Sequence, residues 1–175
     1  TADTRFSLDT GRLVTHIREA KTLGYRFKPV IIGPLTYLAL GKSKDGSDPL
    51  ALLDRLIPVY RSLLDALAAE GAEWVQIDEP ILVLDLPQDW KSAFERAYQK
   101  LQASGLKLLL ATYFGALEDN LHLACHLPTE GLHIDLVRAP QQLAAVLDEL
   151  PPYKVLSAGV VDGRNIWRND LEKTL

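Results

Sequence analysis

The sequence predicts an α/β fold, specifically a partial (β/α)8 TIM-type barrel with about five parallel strands and flanking helices. Apolar runs of strand length alternate with helix-length segments, and no hairpin signal joins any two strands. This alternation is typical of a parallel sheet covered by helices. The chain has 175 residues, whereas a complete barrel typically has about 250. An open doubly wound sheet uses the same units and is the alternative.

The chain is expected to form a single domain, residues 1–175, that holds one part of a barrel. No strand precedes its first helix, and its last segment, from 166 onward, reads as the beginning of another helix. No linker, short repeat or low-complexity segment interrupts the pattern. These features predict a barrel of which this chain contains only some strands.

The first two elements are a helix and a strand. A helix over 9–23 is predicted because apolar residues such as Leu13 and Ile17 recur at helical spacing, and Gly24 ends it. The apolar run over 28–34 follows as a short buried strand. The pattern therefore alternates from the start.

A long helix is predicted over 47–71. Ser47 or Asp48 is suited to cap it, since a short polar side chain accepts hydrogen bonds from the free N–H groups of a first turn. Gly71 ends the helix. Pro58 lies inside it and is expected to kink the helix or split it in two, because proline lacks the N–H of a helical hydrogen bond.

The rest of the chain repeats the alternation. Apolar runs bounded by turn residues are separated by amphipathic segments. Strands are predicted over 73–79, 106–114, 131–137 and 154–161, and helices over 88–103, 117–126 and 140–149 and from 166.

Polar side chains come where two of the predicted strands end. Because side chains alternate along a strand, Asp78 shares a face with Trp74 and Gln76, and His133 shares a face with Asp135. In a barrel, the polar face turns inward at the C-terminal mouth, where barrel enzymes place their chemistry. We therefore expect Asp78, His133 and Asp135 to converge at that mouth.

Four further residues are expected near the same mouth. Thr112 and Phe114 are predicted to face inward from their strand, Glu79 to lie at the rim, and Asp162 to lie on the loop after the last strand. Two interpretations of the polar set stay open. It forms an acid–base cluster, or its members satisfy one another in a packed interior.

The segment HLACH is a weaker candidate for metal binding. His122 and His126 are four residues apart and share one helix face, with Cys125 beside them. The glutamate of the H-E-x-x-H motif is missing, and the sequence shows no third ligand. A half-buried helix face without metal is the simpler interpretation.

Composition excludes several classes of partner. A net charge of −4 with scattered basic residues leaves no surface for nucleic acid. No apolar run approaches the roughly 20 residues of a membrane span. A single cysteine, Cys125, excludes an intrachain disulfide framework, so a reducing compartment, the cytoplasm, is expected. Neither the P-loop pattern nor G-x-G-x-x-G occurs, so a nucleotide site has no support.

Five segments carry a resemblance to a known family. They are KPVIIGPLTYLALGK, EWVQIDEPILVLDLP, LLLATYF, GLHIDLV and LSAGVVDGRNIWRNDL. In this order and spacing they resemble the N-terminal barrel of cobalamin-independent methionine synthase, a 5-methyltetrahydropteroyltriglutamate–homocysteine methyltransferase. The resemblance runs through essentially the whole chain and covers the middle and later part of that N-terminal domain.

The resemblance implies a reaction and a division of labour. Enzymes of this family move a methyl group from 5-methyltetrahydrofolate polyglutamate to homocysteine and form methionine. Their second, C-terminal barrel holds a zinc ion that binds the homocysteine sulfur as thiolate. The implied partners are that C-terminal barrel, folate and homocysteine. The isolated chain is expected to be inactive and to associate with itself through open sheet edges.

The family's zinc ligands do not carry over to this chain. Its His-x-Cys pair falls on Thr112 and Phe114, and its glutamate falls on Asp135. Phe114 cannot bind a metal and Thr112 is a poor zinc ligand. The resemblance thus implies that Asp78 is a structural remnant, that the chain scaffolds rather than catalyses, and that it contains no catalytic, cofactor-binding or metal-binding residue.

Two other functions stay open at this point. In the first, the chain is an independent barrel enzyme, a decarboxylase or a methyltransferase, that uses a cluster of Asp78, Glu79, His133 and Asp135. In the second, it is a non-catalytic interaction module.

Overall fold

The computed structural model describes residues 1–102, 105–170 and 172 of the chain. Among these residues it contains one sheet of five parallel strands, each hydrogen-bonded to the next in chain order. The strands are β1 (Val30–Ile32), β2 (Trp74–Asp78), β3 (Lys107–Ala111), β4 (Gly131–Asp135) and β5 (Val155–Gly159). Strand order in a doubly wound sheet reverses at a switch point, whereas barrel strands follow one another. The predicted α/β fold with flanking helices is confirmed, and its strand order is that of a barrel.

One helix precedes β1, and the others connect successive strands. They are α1 (Gly11–Thr22), α2 (Pro34–Leu40), α3 (Leu53–Ala69), α4 (Gln88–Leu101), α5 (Leu121–His126) and α6 (Leu143–Glu149). One-turn 3₁₀ helices precede α3, α5 and α6, and another follows β2. Within the described ranges, no helix has both the length and the apolar character needed to cross a membrane.

The termini of the first long helices follow from local chemistry. Asp48 accepts a hydrogen bond from the Leu50 N–H at 2.9 Å and so caps the 3₁₀ turn that leads into α3. Gly24 and Gly71 follow α1 and α3 with φ of 75° and 80°, the left-handed conformation that glycine adopts without strain.

Pro58 does not split α3, which runs unbroken through it. One hydrogen bond is lost there, but the helix is anchored on both sides of the proline. Leu56 precedes Pro58 and Leu64 follows it, and both are buried in the core. Packing of this apolar face outweighs the local preference to break.

The helices α2 and α4 and the C-terminal segment differ from prediction. The sequence does not predict α2, because seven residues hold too few repeats for a periodic pattern. The helix α4 ends at Leu101, and residue 103 of its predicted range lies outside the described residues. Of the helix predicted from 166, residues 166–170 are not helical and 172 is. The remaining residues of that prediction lie outside the described part.

The core lies between the sheet and its helices. Val75 and Ile77 of β2 and Leu132 and Ile134 of β4 are fully buried on the helix side. Burying one such side chain stabilises the fold by about 1.5–3 kcal/mol. The intervening residues, including Asp78 and His133, are only half-buried and lie on the opposite, inner face. The alternation predicted for these two strands is therefore confirmed.

The outer strands of the sheet lead to a prediction about association. Within the described chain, β1 and β5 each pair on one side only, and Val30 and Val155 on them are about half exposed, at 51% and 52%. Unpaired strand edges with apolar side chains promote pairing between chains. We expect the isolated chain to form dimers or larger species, measured by light scattering.

Lysine substitutions on β1 and β5 test whether the edges of these two strands cause the association. Val30→Lys and Val155→Lys should shift the chain toward monomer, because a charged edge opposes strand pairing. Leu23→Lys, at an apolar residue that is 62% exposed but lies outside the sheet, is the control. A stable monomer of the unmodified chain at high concentration would contradict the prediction.

Candidate functional site

The strand register aligns a row of side chains on the inner face of the sheet. Asp78 of β2 is paired with Ala111 of β3, Ala111 with His133 of β4, and His133 with Ser157 of β5. Paired residues of neighbouring strands point to the same face. Asp78, His133 and, two residues further, Asp135 therefore occupy the C-terminal end of one face, as predicted.

Both oxygens of the Asp78 carboxylate are hydrogen-bonded. Gln76 Nε2 donates to Oδ1 at 2.8 Å, and the Tyr113 hydroxyl donates to Oδ2 at 3.1 Å. Lys28 Nζ in turn donates to Gln76 Oε1 at 2.6 Å. Burial, assisted by the nearby Asp78 charge, raises the pKa of Tyr113 to about 12, so the phenol remains a donor. The carboxylate is held in a polar network on the inner face.

Asp135 anchors the chain where β4 ends. Its Oδ2 accepts from the Phe114 N–H at 3.1 Å, and its Oδ1 accepts from the N–H groups of Val137 and Arg138, both at 3.0 Å. The Arg138 Nε lies 3.9 Å from Oδ2. With these donors arranged around it, the carboxylate orders two loops and is poorly placed to act as a free base.

His133 lies in a restricted space. Its Nδ1 is 2.9 Å from Ser157 Oγ, and its ring rests on Gly159, where an added Cβ would come 2.9 Å from Nε2. Burial, together with the positive charge of Lys28, lowers the pKa of the His133 imidazole. The imidazole is thus neutral near pH 7 and is oriented by the Ser157 hydroxyl.

A cleft of about 460 Å³ opens beside these residues. Arg138 and Arg164 line it, and the Arg138 guanidinium lies 5.4 Å from the centre of the Phe114 ring. Asp162, on the loop after β5 as predicted, also lines it and accepts from the Arg164 N–H at 3.0 Å. That hydrogen bond is the main reason why the pKa of Asp162 is lowered. The cleft therefore contains two guanidinium groups, one of which lies over the Phe114 ring, together with the Asp162 carboxylate.

Glu79 does not lie at the rim, and that expectation is wrong. It is fully buried on the helix side of the sheet. Its carboxylate accepts from the N–H groups of Leu35 and Thr36 at 3.2 and 2.7 Å and from the Tyr98 hydroxyl at 3.3 Å. Burial raises its pKa to about 7, against the opposing effect of these donors. The strand alternation continues one residue past Asp78, so adjacent carboxylates point in opposite directions.

The inward assignment of Thr112 and Phe114 is also wrong. They share the face of Leu110, which is fully buried on the helix side, so Ala111 and Tyr113 take the inward positions. Thr112 is buried and its Oγ1 donates to the His133 carbonyl at 2.9 Å. Phe114 follows the strand with φ of 83° and is largely exposed.

The inward-facing residues at the ends of β3 and β4 do not fit the zinc site of the family that the sequence resembles. Ala111 has no ligand atom, the Tyr113 hydroxyl donates a hydrogen bond to Asp78, and Asp135 already accepts hydrogen bonds from three N–H groups. Zinc in proteins takes thiolate, imidazole or carboxylate ligands that are free to coordinate. The described inner face of this sheet therefore provides no such ligand set.

The HLACH segment forms α5, away from the sheet mouth. His122 and His126 lie on its outer side, while Cys125 is completely buried. Burial raises the pKa of the Cys125 thiol to about 11, so it is neither reactive nor available to a metal. The structure places Glu149 of α6 beside the two histidines, a third side chain that the sequence pattern did not reveal.

Sequence reasoning missed Tyr113, Ser157 and Arg138. Alternation counted forward from Lys107, the one charged residue of β3, would have placed Tyr113 on the inner face. Ser157 required the register between β4 and β5, and Arg138 required the path of a loop. For the last two residues the sequence contains no local signal.

The chain matches one family profile over its whole length. The profile is described as "Cobalamin-independent synthase, N-terminal domain" and matches residues 1–175.

Solved structures show the same fold. A putative vitamin-B12 independent methionine synthase from Listeria monocytogenes matches with a TM-score of 0.67 and 15% identity, over 95% of this chain and 56% of that one. A B12-independent methionine synthase from a Shewanella species, in complex with selenomethionine, gives 0.70 and 14%, over 93% and 52%. A methyltransferase from Methanosarcina mazei gives 0.56 and 16%, over 84% and 57%. This chain spans about half the length of each.

Proposed function

Because the chain belongs to the cobalamin-independent synthase family and carries sequence of its N-terminal domain, we propose that it is part of a methionine-forming methyltransferase. The complete enzyme would transfer a methyl group from 5-methyltetrahydrofolate polyglutamate to homocysteine. Residues 1–175 would be the middle and later part of the N-terminal barrel. The single buried cysteine is consistent with a cytoplasmic enzyme.

In this proposal the chain scaffolds the enzyme and does not catalyse. The observation that carries it is the state of the inner-face carboxylates. Both oxygens of Asp78 and both oxygens of Asp135 accept hydrogen bonds from groups of this chain. Carboxylates held in this way support structure, since a general base must direct an oxygen at the substrate's proton, and these oxygens are directed at donors of the chain itself.

The catalytic partner would be the C-terminal barrel of the same polypeptide. The zinc ion, homocysteine and the reacting methyl group of folate are assigned to that barrel, because the inner face described above offers no ligand set for zinc. An independent enzyme built on Asp78, Glu79, His133 and Asp135 is not favoured, since Glu79 lies on the other side of the sheet from the remaining three.

The test is Asp78→Asn in the full-length enzyme. The amide cannot accept from both Gln76 and Tyr113 as the carboxylate does, and a hydrogen bond to a charged group is worth about 1.5–3 kcal/mol. We expect the unfolding midpoint to fall while the methionine-forming rate changes by less than about tenfold, or about 1.4 kcal/mol of barrier. Asp85→Asn, which removes an exposed carboxylate, is the control.

The opposite pattern would overturn the proposal. A rate loss of about a thousandfold, or roughly 4 kcal/mol of barrier, with an unchanged unfolding midpoint would mean that Asp78 acts directly in the reaction.

A further inference from the structure

Three potential metal ligands meet on the outer helical layer. His122 and His126 lie one turn apart on α5, and their rings stack with centroids 4.2 Å apart and planes inclined by 27°. Glu149 ends α6 and reaches across to them. Among the described residues, this is the one group of histidine, cysteine or acidic side chains gathered closely enough to hold a metal ion.

The ligand atoms are already close to a coordinating arrangement. Glu149 Oε1 lies 2.5 Å from His122 Nδ1. One ligand atom from each residue can be chosen so that all three lie within 4.8 Å of one another. Around a tetrahedral zinc ion, ligands bound at about 2.1 Å are roughly 3.4 Å apart. Small side-chain rotations would therefore bring all three onto one ion.

The hydrogen bond of His126 prepares it for this role. Its Nδ1 lies 2.9 Å from the His122 carbonyl oxygen, which can only accept, so Nδ1–H donates this hydrogen bond. Nε2 is then unprotonated and available to a metal. Metal-binding histidines characteristically donate their other ring N–H to a backbone carbonyl or carboxylate, which fixes the tautomer and orients the ring.

We propose that His122, His126 and Glu149 form a binding site for a divalent transition-metal ion of the zinc class. Two imidazoles and one carboxylate suit zinc and its neighbours, whereas magnesium and calcium prefer oxygen ligands alone. The side chains are 80%, 45% and 35% exposed, so an ion can reach them and water can complete the coordination.

The site lies far from the sheet mouth and has a structural consequence. α5 and α6 each end just before a strand begins, so their C-terminal ends lie at the opposite end of the sheet from Asp78 and His133. An ion here would clip α5 to α6 on the outside of the fold. An ion that binds the folded state and not the unfolded state would raise the thermal unfolding midpoint of the chain. The proposal is independent of the reaction discussed above.

The experiment is a titration of the 175-residue chain with Zn²⁺ alone, in which isothermal calorimetry measures the stoichiometry and the affinity. We expect one ion per chain. His122→Asn, His126→Asn and Glu149→Gln should each weaken binding by about tenfold or more, since even the loss of a residue that only orients a ligand weakens metal binding by about 10–100-fold. His16→Asn on α1 and Asp148→Asn on α6 are matched controls and should bind like the unmodified chain.

Two further measurements give independent results. Zn²⁺ should raise the thermal midpoint of the unmodified chain and of both controls but not of the three site variants. Co²⁺ should give a visible absorption band that disappears with the same variants. Absence of binding up to millimolar Zn²⁺, binding retained when all three residues are replaced, or binding lost in His16→Asn would overturn the proposal.

Discussion

Gly33→Ala is expected to lower the free energy of unfolding by about 3 kcal/mol, through overpacking and broken hydrogen bonds of a charged group. A Cβ on Gly33 would come 2.1 Å from the Glu79 carboxyl. That side chain is completely buried and tied to the N–H groups of Leu35 and Thr36, so it cannot move aside without losing them. For a domain of this size the melting temperature should fall by about 6–12 °C.

A double-mutant cycle separates this clash from a general effect of alanine. In a Glu79→Ala background, Gly33→Ala should cost little, because the carboxyl it would collide with is gone. Gly163→Ala, where an added Cβ meets nothing within 4 Å, is the control and should leave the midpoint unchanged. An equal cost of Gly33→Ala with and without Glu79 would contradict the explanation.

The second large effect is a pH dependence of stability that comes from Glu79. Burial raises its pKa from 4.5 to about 7 in the folded chain, so the folded state holds a proton that the unfolded state releases. The stabilisation of the folded state by protonated Glu79 is fully present below pH 4.5 and is lost as the pH rises through about 7. A change of this size corresponds to about 3 kcal/mol.

Glu79→Gln should remove this component of the pH dependence. Denaturant unfolding of both proteins between pH 4 and 8, a range of about four units around the titration, gives their stability difference at each pH. We expect the unmodified chain to lose about 3 kcal/mol relative to the variant across this range. Glu73→Gln, at an exposed position, controls for the removal of one carboxylate. Parallel curves for the unmodified chain and Glu79→Gln would show that Glu79 does not titrate in this way.

Both effects concern a residue whose surroundings the sequence does not reveal. Asp78 and Glu79 are neighbours in the chain, but one faces the polar network of Gln76 and Tyr113 and the other faces α2. The two backbone donors to Glu79 are 43 and 44 residues away in the chain. Only the folding of β1 and α2 against β2 brings them together, so no local pattern predicts a buried carboxylate there.

The sequence by itself determined the alternation of strands and helices and the inner face of β2 and β4. These follow from local physics, since strand side chains alternate and apolar residues must be buried on one side. Asp78 and His133 were assigned to the correct face for this reason. Alternation failed for β3, because every residue after Lys107 in this strand is apolar and buried, so its two faces look alike in the sequence.

Only the tertiary structure decided how distant segments meet. It ordered the strands sequentially, turned Ala111 and Tyr113 inward, and brought Glu149 to the His122–His126 pair across 27 residues of chain. Each of these outcomes depends on strand register or on the packing of one helix against another. Contacts of this kind are formed between residues far apart in the sequence, where neither periodicity nor a local motif carries information about them.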